Sequence, residues 1–263
     1  MSRSSGEDRV IRPPPFFLHL YEDSEKGYRN SLMRINEFQA KGLLAGFGIP
    51  VPRGKSVATP SEARAAAERL GGPVFVKALI HAGGRGKAGG ILKAADPADA
   101  ATAASRLLGR PLITGQTGPE GRIVRRVLVE EVIVVARELY AGLTLSREEE
   151  CIVLLVSPRG GVDIEAVAAG EPDLILKQAI SPMSGLLPSQ AERAARALDL
   201  AGAASPQAVE LFTGLARAFE ATDASLVEIN PLVLTARGTL VAADAKVELD
   251  DSGLPRHPDL RAL

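Results

Sequence analysis

The sequence has no tryptophan, only three tyrosines and seven phenylalanines, and a single cysteine, Cys151. One cysteine closes no internal disulfide, so covalent staples are excluded and a reducing compartment, the cytoplasm, is favoured. Its place in the apolar run 151–156 predicts a buried strand residue rather than a nucleophile. Neither charge sign is in excess, with 31 basic against 32 acidic residues. That balance leaves no global field for nucleic acid or an anionic membrane, and any anion site has to be local. No apolar stretch approaches the roughly 18 residues of a membrane span, and residues 16–20 are too short for a signal-peptide core. A repeat of solenoid period is missing as well.

What is present is enough apolar residue, 46% of 263, to bury a substantial core as one large domain or two modest ones. The most distinctive stretch is 81–90, in which five of ten residues are glycine, preceded by the strand-like Val74-Phe75-Val76-Lys77. Glycine lets backbone N–H groups close on an anion, and Lys77, Arg85 and Lys87 add cations, so the pattern points to a polyphosphate. A basic surface flap without a ligand is the alternative. The run Gly84-Arg85-Gly86-Lys87-Ala88-Gly89 fits G-x-G-x-x-G, but a strand-like Ile91-Leu92-Lys93-Ala94 follows instead of a helix, and 109–118 holds no acid. A Walker loop is excluded by Ala88 after Lys87, where Ser or Thr is needed to bind magnesium. Strand, glycine loop, strand remains: a flap that folds over phosphates.

Punctuation organises the rest. Residues 1–32 read as a loose tail, with Pro13-Pro14-Pro15 blocking regular structure and Met33 standing as an alternative start. A helix is expected behind Met33, carrying Ile35, Phe38, Leu43 and Phe47 on one face and stopping at Gly48 and Pro50. Thr59-Pro60-Ser61-Glu62 is a capping box that starts a helix to about Leu70. Asp96-Pro97 caps another, with Ala101, Ala104, Leu107 and Leu108 inward. Residues 127–129 form a buried strand ending in Glu130, and an acidic turn at 147–150 joins a hairpin. The pair Gly160-Gly161 reads as an ordinary turn or as amides offered to an anion at a helix start. Two further helices follow Ser189 and Ser205-Pro206.

Near the C-terminus lie Glu228-Ile229-Asn230-Pro231 and Asp244-Ala245-Lys246, with Ala236-Arg237-Gly238 between them as a three-residue hairpin loop. Pairing Thr235 with Thr239 places Asn230 opposite Asp244 and Glu228 opposite Lys246, all on one face. Val227, Ile229, Val233, Val241 and Ala243 then point to the core. Two acids and an amide beside cations suit an oxygen-ligated Mg²⁺ carrying nucleotide phosphates. A solvated cross-strand ion pair is the plainer alternative.

These motifs, with Asn36-Glu37-Phe38-Gln39-Ala40-Lys41 and Arg256-His257-Pro258-Asp259-Leu260, resemble the β subunit of succinate-CoA ligase over residues 33–263. The resemblance implies an α+β ATP-grasp fold of two lobes with nucleotide between them: a small lobe of about 54–129 and a large lobe of about 33–53 plus 130–263. It implies that Lys77, Gly84, Arg85 and Gly86 hold phosphates, Glu130 and Glu138 lie at the adenosine, and Asn230 and Asp244 bind Mg²⁺. Glu228 would then be the catalytic residue beside the transferred phosphoryl group. The implied cofactors are Mg²⁺ and ATP, with GTP open, and CoA as co-substrate of the complete enzyme. The implied partner is an α subunit carrying the phosphohistidine. Family members continue past the matching stretch into a C-terminal CoA-ligase domain that this sequence lacks, so a separate chain supplying it is a further expected partner. Malate-CoA ligase, an ADP-forming acetate-CoA ligase subunit and a non-catalytic nucleotide-binding module are the other readings. His81 is within reach of phosphate in this scheme, whereas His19 and His257 have no general-base partner in sequence.

Overall fold

In the computed structural model the chain is described over residues 32–146 and 150–263. The expected tail, apart from Leu32, and the turn at 147–149 lie outside the described residues. Strand β1 (Leu32–Ile35) leads into helix α1 (Glu37–Gly46), which starts at a reciprocal capping box between Asn36 and Gln39. Residues 33–35 are therefore strand, not the start of the helix. The helix also turns an unexpected face inward: Phe38 is exposed, while Glu37, Ala40, Lys41 and Leu44 are buried. Two charged residues can be buried here because counterions from other elements meet them.

Next come β2 (Gly54–Val57), α2 (Pro60–Leu70), β3 (Val74–Leu79), β4 (Ile91–Ala94), α3 (Pro97–Leu107), β5 (Pro111–Leu112), β6 (Arg122–Ile123) and β7 (Arg126–Glu131). Four of these strands form an antiparallel sheet in the order β2-β7-β3-β4, and β5 pairs with β6 as a small separate ribbon. Thr59 and Glu62 cap α2 reciprocally, and Asp96 caps α3 as its sequence position requires. Both helices lay alanine-rich faces on the sheet, enclosing a core that includes Val57, Val74, Val76, Val127 and Val129. The face of α3 is rotated from expectation: Ala100, Ala103, Ala104 and Leu107 are buried, whereas Ala101 is half-buried and Leu108 packs at the margin.

The remaining elements are β8 (Val135–Ser146), β9 (Cys151–Ser157), α4 (Ile164–Gly170), β10 (Leu176–Ile180), α5 (Pro188–Ala197), α6 (Ala204–Ala221), β11 (Ala224–Thr235), β12 (Leu240–Ala242), β13 (Ala245–Asp250) and the short α7 (Pro258–Arg261). The larger sheet runs β1-β13-β11-β8-β9-β10, with β12 also paired to β11. Helices α1, α5 and α6 contribute to its main core with Leu139, Leu143, Leu154, Ile229 and Phe212. Cys151 opens β9 half-buried rather than fully buried. No helix among the described residues is long and apolar enough to cross a membrane.

The hairpin register matches the sequence count: Glu228 pairs with Lys246, Leu232 with Ala242 and Leu234 with Leu240, around a turn in which Gly238 has φ +76°. One detail differs. The inward face changes parity beside the cis Asn230–Pro231 bond, so Leu232, Leu240 and Ala242 line the main core while Val241 and Ala243 are only half-buried. The β8–β11 ladder slips by one residue at the same place, between Ile229 and Leu232, whereas the hairpin of β11 with β12 and β13 keeps one pairing sum from Leu226 to Leu234.

Candidate functional site

The glycine loop between β3 and β4 closes over the polar face of the β11–β13 hairpin, enclosing a cleft of about 650 Å³. The loop contributes Gly83, Gly84, Arg85, Gly86 and Lys87; the hairpin contributes Glu228, Asn230, Asp244 and Lys246. Two stretches far apart in sequence thus meet face to face. Arg85 makes the junction: both Asp244 carboxylate oxygens accept from its Nη2 at 3.1 Å.

Beneath that junction lies a buried charge cluster. Lys77 Nζ donates to Glu37 Oε1 at 2.8 Å and to the Ala243 carbonyl at 3.1 Å, and pairs with Glu130 Oε2 at 2.6 Å. Lys41 Nζ donates to Glu37 Oε1 at 2.8 Å, Glu130 Oε1 at 2.6 Å and the Ala243 carbonyl at 2.7 Å. Arg85 Nη1 lies 2.6 Å from Glu37 Oε2, an ion pair that leaves this buried oxygen without a well-aligned hydrogen bond. Three cations therefore balance Glu37, Glu130 and Asp244. Burial alone would raise the Glu37 pKa, but Lys41, Lys77 and Arg85 outweigh it and hold that carboxyl well below the usual range. Burial likewise works against the charge on Lys77, yet Glu37, Glu130 and Asp244 raise its pKa above the ordinary lysine value.

The opposite wall is less well neutralised. Asp244 sits deep at the cleft floor with 36% of its side chain open. The surrounding protein and the Glu37 charge raise its pKa, against the pull of Arg85, Lys77 and Lys41. Glu228 is also raised, first by burial and then by Asp244 and Glu248, with Lys246 opposing. On the neighbouring α4, burial, the hydrogen bond to Asp163 and the charges of Asp163 and Glu228 push Glu165 up to about 7.

Asn230 holds the third side of the cleft. Its Oδ1 accepts from Gly161 N–H at 2.7 Å and its Nδ2 donates to the Val162 carbonyl at 2.9 Å. Close approach requires Gly160, where a Cβ would collide with the Leu139 backbone, and the left-handed backbone at φ +70° favours glycine at 161. The Gly160 and Gly161 amides are spent on the Glu138 carbonyl and on Asn230. This pair seats a loop.

The structure thus brings Gly84, Arg85, Gly86, Glu228, Asn230 and Asp244 together around one cleft. Lys77 lies just behind it with its ammonium fully engaged, Glu130 points into the buried cluster, and Glu138 is exposed beside Gly161. Sequence reasoning missed Glu37 and Lys41 as site residues. Their i,i+4 spacing is that of an ordinary solvated helix pair, and only the counterions contributed by β3, β7 and the flap reveal the difference. His81 lines the cleft, its Nδ1 2.8 Å from the Arg34 carbonyl. His257 acquires the partner that the sequence did not show, with Nε2 2.7 Å from Asp223 Oδ2.

Among the described residues no group of three or more His, Cys, Asp or Glu side chains is assembled to hold a metal ion. The donor types still suit a hard cation shared with a phosphate ligand: Asp244 and Asn230 bring oxygens to the cleft, where they now accept from Arg85 and from Gly161 N–H, and a cation would have to share or displace those contacts.

Residues 34–234 match a family model described as an ATP-grasp domain. The chain is 53% identical over 232 residues to the succinate-CoA ligase [ADP-forming] subunit β of Anaeromyxobacter dehalogenans, covering 88% of this chain and 60% of that protein. It is 48% identical to the subunit of the same name from Solibacter usitatus, again with 88% and 60% covered. The chain thus spans about three-fifths of the length of these curated relatives. Among solved structures it resembles the Ca. Korarchaeum cryptofilum dinucleotide forming acetyl-coenzyme A synthetase 1, with a TM-score of 0.66 at 17% identity over 90% of this chain and 100% of that one. It also resembles ATP citrate lyase from Methanothrix soehngenii, with a TM-score of 0.64 at 20% identity over 86% of this chain and 53% of that one.

Proposed function

This chain belongs to the ATP-grasp family, and from that membership we propose that it is the nucleotide-holding part of a β-type acid-CoA ligase subunit, with succinate as the acid. The single observation that carries the reading is the Arg85–Asp244 junction, which brings a glycine flap and a carboxylate hairpin 159 residues apart to one cleft. A cation-bearing flap facing oxygen donors suits a polyphosphate and a divalent ion bound together. The names of the relatives support the choice of reaction and of ATP over GTP. One structural neighbour was solved with coenzyme A and Mg-AMPPCP, its phosphohistidine segment pointing towards the nucleotide binding site. An analogous arrangement here has an α-subunit histidine receive the phosphoryl group, with CoA entering at a later step.

In this scheme Gly84 and Gly86 present backbone amides to phosphate oxygens, and Arg85 exchanges its contact with Asp244 for one of them. Lys77 joins them by giving up one of its present acceptors. Glu138, exposed beside Gly161, serves the adenosine end, whereas Glu130, its carboxylate taken by Lys41 and Lys77, braces those lysines beneath the phosphates. Asn230 and Asp244 hold Mg²⁺, which when bound offsets the negative charge that the γ-phosphoryl oxygens carry. Glu228, held on the cleft wall beside Asn230, offers a carboxylate to the N–H of the receiving imidazole. The complete reaction needs the α subunit and the remaining portion of a β-type subunit, supplied by a separate chain where necessary, because transfer demands donor and acceptor held in line. The single cysteine suits a cytoplasmic setting.

Titration calorimetry tests the core of this reading. Mg-ATP is expected to bind the folded chain with measurable heat and to raise its thermal midpoint as its concentration increases. A folded sample that shows neither effect at millimolar Mg-ATP would overturn the assignment.

A further inference from the structure

The α1 helix contributes no residue to the nucleotide scheme above, yet Glu37 at its first turn is the anion on which the cations of that scheme converge. Its side chain is 1% exposed. Oε1 accepts from Lys41 and from Lys77, each at 2.8 Å, and Oε2 lies 2.6 Å from Arg85 Nη1. These three cations come from different places: α1 itself, strand β3 of the smaller sheet, and the glycine flap. Glu37 and Ala243 are the points at which the larger-sheet side grips Lys77, since the Ala243 carbonyl accepts from both lysines.

We propose that Glu37 is a positioning residue of the nucleotide site, the buried carboxylate that gathers Arg85 and Lys77 at the base of the cleft before any phosphate arrives. The inference rests on the nucleotide reading and deepens it. Geometry shows how the positioning works. Arg85 is held on its inner side, where Nη1 meets Glu37 and donates to the Ala78 carbonyl at 3.1 Å. Its Nη2 edge is thereby turned to the cleft floor, where it now meets Asp244. A phosphate oxygen arriving at the floor therefore finds a guanidinium whose inner contacts need not break. Without Glu37, Lys41, Lys77 and Arg85 would repel one another across a water-poor space with only Glu130 and Asp244 to balance them. The long side chains would then have to be ordered by the nucleotide itself, at the expense of affinity.

A role in charge balance alone makes a different prediction, and Lys41 provides the means to separate the two. Lys41 is buried at the closed side of the cluster and does not line the cleft. The double variant Glu37→Gln with Lys41→Met removes one anion and one cation, so the cluster stays neutral. Affinities for ATP and for adenosine are measured by calorimetry on the wild-type chain, on the double variant and on Glu37→Asp, with folding checked by circular dichroism. The double variant is expected to lose about tenfold or more in ATP affinity, the size of one lost charge-assisted contact, while adenosine binding stays unchanged. Glu37→Asp keeps the charge but withdraws it by one methylene, and is expected to show a smaller loss with the same selectivity. It also decides the matter if the double variant fails to fold. ATP affinity at the wild-type value in either folded variant would overturn the positioning role and leave the nucleotide reading standing. Equal losses for ATP and adenosine would do the same, by showing a general structural effect. A wild-type chain that binds neither ligand would overturn the nucleotide reading and this inference with it.

Discussion

On the flap side of the cleft, Lys41, Lys77 and Arg85 meet Glu37, Glu130 and Asp244 at 2.6–3.1 Å. On the opposite wall Glu165 lies between Asp163 and Glu228, and at Glu228 the charge of Lys246 does not cancel the burial and the neighbouring acids. The first region has its counterions built in, and its carboxylate Glu37 is held ionised. In the second, burial and mutual crowding raise the pKa values of Glu165 and Glu228, while the hydrogen bond with Glu165 holds Asp163 low, a wall that gains from an arriving cation. The contrast shows how one cleft can be prepared for an anionic and a cationic ligand together: its positive charge is fixed in place by protein, and its negative charge is left partly unmet.

The most severe way to break the contrast is to unbalance the buried side. Lys41→Met leaves Glu37 and Glu130, both almost fully buried, with one cation fewer, and is expected to cost about 3–5 kcal/mol of stability in urea unfolding. The double variant with Glu37→Gln should recover much of that loss, because the two sites share one network. A Lys41→Met chain as stable as wild type would mean that the cluster is far better hydrated than its burial implies.

Where the two sides meet, at Asp244, the change should fall on binding. Asp244→Asn keeps the shape of a side chain that is 36% open but weakens its pairing with Arg85, so the thermal midpoint of the ligand-free chain is expected to fall only slightly. Affinity for Mg-ATP should fall about tenfold or more through the loss of an anionic oxygen donor. Unfolding without any change in affinity of the folded fraction would make Asp244 structural.

The smallest effect expected is a pH dependence carried by Glu165. Its pKa rises from 4.5 to about 7 in the folded chain, so its contribution to stability is full below about pH 4.5 and is lost as pH climbs through 7. Between those limits the wild-type thermal midpoint should decline relative to that of Glu165→Gln, which cannot ionise. Glu37 works in the opposite sense, contributing stability above its ordinary value and losing it in acid, but both chains share that term and it cancels. Parallel midpoints from pH 4.5 to 8 would show that Glu165 titrates normally.

Much of the architecture is local and therefore legible in the residues themselves. The capping boxes at Asn36 and Thr59 answer to side chains within three residues of them, although only the second, with proline at its first helical position, stands out in the sequence. The turn glycine at 238 sets a register that carries Glu228 to Lys246 by counting alone. The parity change beside Pro231 is not legible, because both strands reverse their facing while the pairing sum stays constant. Nor is the inward face of α1, where Phe38 is the residue that a hydrophobic reading buries.

By itself, then, the sequence determined the strand, glycine loop and strand of the flap, the polar face of the β11–β13 hairpin and most helix starts, since each depends on neighbours within a few positions. Tertiary structure alone decided that Arg85 meets Asp244, that Glu37 and Lys41 are buried and that His257 finds Asp223. The reason is energetic. A charged side chain stays in water unless counterions from distant segments offset its desolvation, and such partners, 40 residues away for Lys77 and Glu37 and 89 for Lys41 and Glu130, leave no mark in the local pattern.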